Sequence, residues 1–295
     1  MTDHGRKPKR WANDLNTILA AVPGERFPIG VERLAIEYAK QRFPESPIVA
    51  VEGDSLGKFE GALYPVPEKH GWAIIYNNDV SPGRRRFTVS HEFGHYLMHR
   101  SLMPKFECGE DVVTFRSGED LEKEADTFAA YLLMPFDDFR AHIAADAKPT
   151  IDEFGAMADR YGVSLISCIL RWLEYTSRRS MIVVSRDGYM LWAASSGPAF
   201  KSGLIYRTRR RPIEVPAGSL VGLQEFTDRA RLGVAQPAGV WLGEDCHEIT
   251  LRSDKYDQAI TLLHFANTAP RPFDEEVGLQ DTFERFMPPD RERFE

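Results

Sequence analysis

Two histidines and a glutamate in the run His91-Glu92-Phe93-Gly94-His95 have the spacing of the zinc hydrolase motif H-E-x-x-H. On a helix, residues four positions apart lie one turn apart on the same face, so both imidazoles can bind a single Zn²⁺. Glu92 lies about 100° further around the helix. From there its carboxylate can take a proton from water at the metal without binding the metal itself. The motif therefore predicts a hydrolase, most often one that cuts peptide bonds.

The residues around the motif indicate a buried helix. Phe87, Gly94 and Met98 share one side by helical spacing, and the small glycine suits close packing. Thr88 and Ser90 are candidate N-cap residues for this helix. The other interpretation, a surface helix that carries two histidines by chance, fits less well because the remaining faces are apolar.

A zinc site on one helix needs a third protein ligand, and a second helix can supply it. The chain runs on through residues 96–99 without a glycine, which argues against the class that takes a third histidine after a glycine turn. Residues 121–135 have strong helical propensity and end at a proline. Glu122 lies about 60° from the centre of the apolar arc of this helix, and Glu124 about 100° away on the other side. The spacing favours Glu122 and leaves Glu124 open.

Several further side chains could support such a site. Asp126 follows Glu122 by one turn and could accept a hydrogen bond from a ligating histidine. His99 lies about 20° from Glu92 around the helix, so it is a candidate to stabilise the oxyanion of the reaction. Tyr131 is another candidate for that role, as is Tyr96.

Two runs, RFTVSHEFGHYLMH and EKEADTFAAYLLMP, resemble in order and spacing those of the ImmA/IrrE family of zinc metallopeptidases. The close resemblance covers roughly residues 25–140. It implies a compact zincin fold with one Zn²⁺ bound by His91, His95 and Glu122, and Glu92 as the general base. It also implies a substrate class: helix-turn-helix repressors, cut once to release transcription in stress, mobile-element and phage-defence regulation.

Length and composition agree with an α+β protein of several domains. The 295 residues suggest two or three domains, and 43% hydrophobic with 27% charged residues is typical of soluble globular proteins. The sequence contains no stretch of 18 apolar residues, so no membrane segment is expected. The basic N-terminus has no apolar core, and three cysteines argue against a disulfide framework. These features predict a cytoplasmic protein.

The expected organisation has three parts. Residues 1–140 form a zincin-like metallopeptidase domain, 141–178 a helix-turn-helix-like helical segment, and 179–295 a sensor domain. Family members with such an extra region have a GAF-like domain, so the resemblance implies one here. In the middle segment, the helix predicted from Leu165 to Tyr175 is largely apolar with Arg171 its only basic residue. This composition favours an inter-domain or substrate-docking role over the alternative, DNA binding.

Apolar runs between turn signals predict the strands. In the first domain, Trp72–Tyr76 is either an ordinary core strand or the edge of the cleft, where an extended peptide could pair with it. Other strands of that domain are expected at Ile48–Glu52 and Phe59–Tyr64. In the last domain, Arg186-Asp187-Gly188 predicts a hairpin. Further strands are expected at Gly203–Arg207, Gly239–Leu242 and Glu248–Leu251, with 257–265 a short helix or a strand.

Two features suggest that the activity is regulated. Cys108 lies between the two ligand helices, and its thiolate could fill the open zinc position as an inhibitory fourth ligand until it is withdrawn. The other interpretation is a loop cysteine without a role. A basic run beside Tyr206 could bind the phosphates of single-stranded DNA as an activator, or could be a solvated loop; it consists of Arg207, Arg209, Arg210 and Arg211.

A rival hypothesis retains the bound zinc ion but gives it no catalytic role. The chain could be a DNA-binding transcriptional regulator or an antitoxin-like protein with a structural zinc site, and a general peptidase is a third possibility. The intact Glu92 argues against an inactive site, and the appended domain argues for narrow, regulated use.

Overall fold

The computed structural model describes residues 6–102, 106–107 and 116–267, and only the backbone of residues 106–107 and 116–119. These residues form two compact units with a mixed α+β composition. The first comprises the described residues up to Phe139 together with Met157–Ser164, and the second comprises Arg140–Ala156 and the described residues from Leu165 onward. Within the described part of the chain, no helix is long and apolar enough to cross a membrane.

A mixed sheet supports the first unit, after helices α1 (Pro8–Ala21) and α2 (Val31–Arg42). Its strands are β1 (Ile48–Asp54), β2 (Gly61–Val66), β3 (Gly71–Asn77) and β4 (Phe106–Glu107), in the order β1-β3-β2-β4. β3 runs parallel to β1 and antiparallel to β2, and β2 pairs on its other side with β4. The three strands expected in this part of the sequence are confirmed.

β3 is a core strand of this sheet. Ile74 lies opposite Val51 of β1 on one side and Leu63 of β2 on the other. Ile74 and Leu63 are fully buried. The interpretation of Trp72–Tyr76 as the edge of a substrate cleft is therefore wrong, because both backbone edges of β3 are already hydrogen-bonded and cannot pair with a peptide.

The helix that carries the histidine motif, α3 (Pro82–His99), begins earlier than expected. The Ser81 side chain caps it by accepting a hydrogen bond from the Arg84 N–H at 3.3 Å, and Pro82 occupies the first turn. Thr88 and Ser90 are buried inside the helix, so the prediction that either is the N-cap is wrong. The Ser90 hydroxyl instead donates to the carbonyl of the preceding turn, as serines in helix interiors do.

Helix α3 packs closely on α4 (Arg116–Leu133) at Gly94, the small residue that the sequence indicated as suited to close packing. The rings of Phe93 and Phe128 are fully buried beside this contact, with centroids 5.7 Å apart. A Cβ atom at Gly94 would lie 2.9 Å from Cδ1 of Phe128 and 3.3 Å from the Cα of Ala125. This close approach brings the metal-type residues of the two helices within reach of each other.

We expect Gly94→Ala to destabilise the first unit. Overpacking a core typically costs about 1–3 kcal/mol, and the gain in helix propensity from alanine offsets only about 0.5–1 kcal/mol of it. Urea-induced unfolding measures the change. Gly155→Ala is the matched control, because Gly155 also lies in a helix, α6 (Ile151–Tyr161), but has no atom within 4 Å of the added Cβ. A Gly94→Ala protein as stable as the control would contradict the close packing.

Three helices follow α4, and the last of them lies within the helix predicted from Leu165 to Tyr175. They are α5 (Phe136–His142), α6, and α7 (Leu165–Leu173), with Gly162 in the left-handed conformation (φ +62°) between the last two. On α7, the side chains of Cys168, Ile169 and Trp172 are fully buried. This face of α7 belongs to the core and is not available to bases or phosphates.

An antiparallel sheet forms the centre of the second unit. Its strands are β5 (Ser180–Arg186), β6 (Tyr189–Ser195), β7 (Val234–Gln236), β8 (Cys246–Ser253) and β9 (Gln258–Phe265), in the order β6-β5-β9-β8-β7. Two short helices, α8 (Gly197–Lys201) and α9 (Asp228–Leu232), accompany it. The β5–β6 hairpin is confirmed: Asp187 (φ +50°) and Gly188 (φ +80°) adopt the left-handed conformation that tight hairpins require. The strand alternative for 257–265 is also the correct one, and the strand expected at Glu248–Leu251 lies within β8.

Two other expected strands are turns. The N–H of Gly203 donates to the carbonyl of Phe200 at 3.0 Å, which ends α8, and the glycine has φ +80°. The N–H of Gly239 donates to the carbonyl of Leu242 at 2.7 Å within a tight turn. The predictions of strands at Gly203–Arg207 and Gly239–Leu242 are therefore wrong. Their apolar residues are buried one at a time, as Trp241 is, and do not form the continuous apolar face of a strand.

Candidate metal centre

Three side chains from two helices converge in the first unit. On α3, Nε2 of His91 lies 3.0 Å from Nε2 of His95. Glu122 of α4 reaches both: its Oε2 is 3.1 Å from Nε2 of His91, and its Oε1 is 3.3 Å from Nε2 of His95. Both histidines are buried, whereas the Glu122 side chain is 40% exposed. The two helices therefore present one nitrogen each from two imidazoles and a carboxylate to a common point.

This donor set fits a tetrahedral zinc ion. With Zn–N and Zn–O bonds of about 2.0–2.1 Å, ligand atoms of a tetrahedral site are about 3.3 Å apart, close to the separations found here. The three donor atoms lie within 4.8 Å of one another. Three protein ligands of this type leave a fourth position open, which is the arrangement of catalytic rather than structural zinc sites.

The local environment keeps these groups in their ligating forms. Burial lowers the pKa of His95 and outweighs the hydrogen bond to Glu122, which acts in the opposite direction, so the imidazole is neutral and keeps an electron pair on one nitrogen. Burial alone would raise the pKa of Glu122, but its hydrogen bonds with His91 and His95 hold that pKa well below its usual range. Neutral imidazoles and an ionised carboxylate are the forms that bind zinc.

The other nitrogen of His91 is bound to Asp126. Its Nδ1 lies 2.8 Å from Oδ1 of Asp126, one turn after Glu122 on α4. If Nδ1 carries the proton and donates to the carboxylate, the electron pair is on Nε2, which points to the metal centre. The structure thus places Asp126 in the supporting position that the sequence suggested.

A second chain of contacts supports His95. Its Nδ1 lies 3.0 Å from Nδ1 of His99, whose Nε2 is 2.9 Å from Oε2 of Glu124. With the electron pair of His95 on Nε2, its Nδ1–H donates to His99, and the Nε2–H of His99 donates to Glu124. The structure therefore places Glu122, and not Glu124, beside the two motif histidines.

The region that contains this centre matches a known family. Residues 45–172 match the family model described as the IrrE N-terminal-like domain, Peptidase_M78. This segment of the chain belongs to the ImmA/IrrE family. The match includes both ligand helices of the ImmA/IrrE segment and extends beyond the end of the resemblance inferred from sequence.

Comparison with solved structures gives a wider fold likeness. The chain resembles a Mycobacterium tuberculosis transcriptional regulator at 16% sequence identity, with a TM-score of 0.53. The likeness covers 88% of this chain and 75% of that one. At this identity it concerns the fold alone. No curated protein sequence matches the chain.

The ImmA/IrrE segment places Glu92 beside the first residue of β2. Glu92 is 1% exposed, and a Cβ atom added to Gly61 would lie 3.7 Å from its Oε1. The same Cβ would lie 2.5 Å from Cγ2 of Thr88, so only glycine fits here. Sequence reasoning missed Gly61; a glycine that starts a strand is a signal for close approach of another element.

Two predicted oxyanion donors are not available at the metal centre. Both nitrogens of His99 are engaged, with His95 and Glu124, so its expected role in stabilising the oxyanion is wrong. Tyr131 follows Glu122 by nine residues, which places it about 13 Å along α4 and on the opposite side. Its ring contacts Phe136, with centroids 5.2 Å apart, so this candidate is also excluded. The Tyr96 hydroxyl, a third candidate, donates to the carbonyl of Ser46 at 2.7 Å.

The structure describes only one of the two predicted regulatory features, the basic run. Cys108 lies outside the described residues, and the cysteine switch stays a prediction. The basic run lies in the second unit, in the turns after α8, where all four arginine side chains are exposed; they are Arg207, Arg209, Arg210 and Arg211.

Proposed function

We propose that this chain is a zinc-dependent endopeptidase. One observation carries the proposal: Nε2 of His91, Nε2 of His95 and the carboxylate of Glu122 converge, with 3.0–3.3 Å between them. Glu92 directly follows His91 on the same helix. Membership of its metallopeptidase segment in the ImmA/IrrE family supports the same chemistry. The donor set also fits zinc better than magnesium or calcium, which prefer oxygen ligands.

His91, His95 and Glu122 would hold one Zn²⁺. When bound, the ion supplies Lewis-acid chemistry: it polarises the scissile carbonyl and lowers the pKa of water. Glu92 accepts the proton of the attacking water and delivers it to the leaving amine. The burial of Glu92 excludes bulk water from this proton transfer, and Gly61 leaves space for its carboxylate.

Asp126 and the pair His99–Glu124 orient the two imidazoles. We expect Asp126→Ala to weaken zinc binding about 10–100-fold, because His91 then loses the partner that fixes its tautomer. Asp126→Asn keeps an acceptor oxygen and should recover part of the affinity. Competition with a chromophoric chelator measures both values. Asp120→Ala, an exposed residue of the same helix, is the control. Equal affinities for Asp126→Ala and the control would refute this role.

The proposed substrate is a helix-turn-helix transcriptional repressor. The resemblance of the two ligand helices to ImmA/IrrE members supports this class, and cleavage would switch on a stress or phage-defence operon. We propose that residues 141–178 form a helix-turn-helix-like segment and 179–295 a GAF-like sensor domain. The exposed arginines between 207 and 211 support single-stranded DNA as the activator of this domain, because phosphate contacts require accessible cationic side chains.

One cleavage assay tests the proposed function. The purified protein is incubated with the repressor encoded beside its gene, in zinc or in excess chelator, and with or without single-stranded DNA. We expect a single cut that requires zinc and is faster with single-stranded DNA than with duplex of the same length. Repressor binding without any cut, in zinc and DNA, would favour the rival regulator function with a structural metal. A zinc-dependent cut that DNA does not accelerate would remove only the proposed activator.

A further inference from the structure

A second cluster of polar side chains lies in the second unit, at one end of its sheet. It surrounds a cavity of about 230 Å³ where β8 begins and β9 ends. The polar residues that line the cavity are Lys148, Arg178, Asp245, Cys246 and His264. None of them belongs to the metal centre or to the arginine run, so the proposed function does not account for this cluster.

The imidazole of His264 is the most buried member of this cluster. His264 is only 3% exposed, and its ring packs edge-on against that of Trp172, with centroids 5.7 Å apart. Nδ1 lies 2.9 Å from Oγ of Ser180 on the neighbouring strand β5. Nε2 is buried and has no hydrogen-bond partner among the described residues. Buried ring nitrogens are normally satisfied, so a group that fills the cavity is the natural partner of Nε2.

Positive charge is concentrated around this imidazole. Burial, together with the charges of Lys148 and Arg178, lowers the pKa of His264 to about 3, so the ring is neutral at physiological pH. Burial and the nearby Arg178 likewise lower the pKa of Lys148. Within the described residues, neither cation has a carboxylate at ion-pair distance. To the part of the chain that the structure describes, the guanidinium of Arg178 donates one hydrogen bond, to the carbonyl of Asp146 at 3.2 Å.

The remaining polar groups of the cavity do not cancel this charge. The carboxylate of Asp245 accepts a hydrogen bond from the backbone N–H of Ala238 at 2.7 Å, which holds it in its own turn. Burial, with the charges of Glu248 and Asp245, raises the pKa of Cys246 to about 12, so its thiol stays protonated. The cavity is thus lined by two cations, a neutral imidazole and a thiol, against a single carboxylate among the described residues.

We propose that this cavity binds an oxyanion, the phosphate or carboxylate group of a small ligand, between Lys148, Arg178 and His264. Arginine and lysine are the side chains that proteins use for both groups. His264 can donate from Nε2 when the Ser180 hydroxyl donates to Nδ1. A volume of about 230 Å³ is below that of most drug-sized pockets, so the bound part of the ligand is small.

Calorimetric titration of the full-length protein tests the site. The probes are inorganic phosphate and sodium acetate, each against sodium chloride at matched ionic strength. We expect saturable binding of at least one probe with a Kd of about 1 mM or tighter. The stronger probe distinguishes a phosphate from a carboxylate ligand. Lys148→Gln should weaken that binding at least about tenfold, because a charge-assisted contact is lost. Lys148 is exposed, so this variant is expected to fold.

Two further variants complete the test. His264→Phe keeps a ring against Trp172 but removes Nε2, and it should weaken binding to a similar extent if its thermal unfolding is unchanged. Lys201→Gln, an exposed lysine at the end of α8, should bind like the parent protein. The proposal is overturned if neither probe binds saturably, or if Lys148→Gln binds as tightly as Lys201→Gln. The outcome does not depend on peptidase activity.

Discussion

Glu92→Gln should retain zinc but lose repressor cleavage. Glutamine has the same shape as glutamate, so the buried site beside Gly61 is preserved, while an amide cannot accept the proton of the attacking water. General base catalysis typically contributes about 10²–10⁴-fold, and we expect a loss of at least that size in kcat/KM. The measurement is the rate of repressor cleavage at saturating zinc, together with the zinc content of the variant.

The control for this prediction is Glu37→Gln, an exposed glutamate of α2 that pairs with Arg33. It carries the same chemical change away from the centre and should cleave at the parent rate. Glu92→Gln that still cuts at more than about a tenth of the parent rate would refute the general-base role. Loss of both zinc and cleavage would instead indicate that Glu92 is needed for zinc binding.

The local part of the metal centre follows from the sequence. The His91–His95 spacing fixes two donors on one helical face, and it needs only the helix to form. The apolar arc of α4 also favours Glu122, because the arc determines which side of that helix meets α3. The contact at Gly94 is predicted for the same reason: it depends on periodicity and on the size of one side chain.

The sequence could not predict the features that depend on which elements meet. His99 lies about 20° from Glu92 on a helical wheel, but it is also about 10 Å further along the axis. At that position it meets Glu124 of α4 instead of a substrate. Likewise, the apolar pattern of Trp72–Tyr76 is the same for a core strand and for an edge. Only the pairing of β3 with both β1 and β2 distinguishes the two.

The start of α3 was missed for a different reason. Ser81-Pro82 is a strong local start signal, but the run between it and the histidines contains Arg84-Arg85-Arg86, which hides the apolar periodicity. Arg86 instead reaches the carbonyl of Gly162 at 2.7 Å, a contact between residues 76 positions apart in the sequence. Sequence patterns indicate a helical face, whereas long-range partners of this kind determine what that face is used for.

Glu122→Ala is expected to remove tight zinc binding. It deletes the only one of the three donors that comes from α4, and the remaining histidines, His91 and His95, are both on α3. We expect the affinity to fall by more than about 100-fold, beyond the 10–100-fold typical of a lost supporting partner. Glu124→Ala is the matched comparison on the same helix. It removes only the acceptor for His99, which is not one of the three donors, so the loss should be no more than about tenfold, the lower end of that range.

Thermal unfolding gives an independent measurement of the same prediction. At a zinc concentration about 100 times the Kd of the parent protein, binding stabilises the folded state by about 2.7 kcal/mol. After a 100-fold loss of affinity, only about 0.4 kcal/mol remains at that concentration. Zinc should therefore raise the Tm of the parent and of Glu124→Ala, but scarcely that of Glu122→Ala. If zinc stabilised Glu122→Ala and not Glu124→Ala, the third ligand would be Glu124. The metal site would then include the face of α4 that contacts His99.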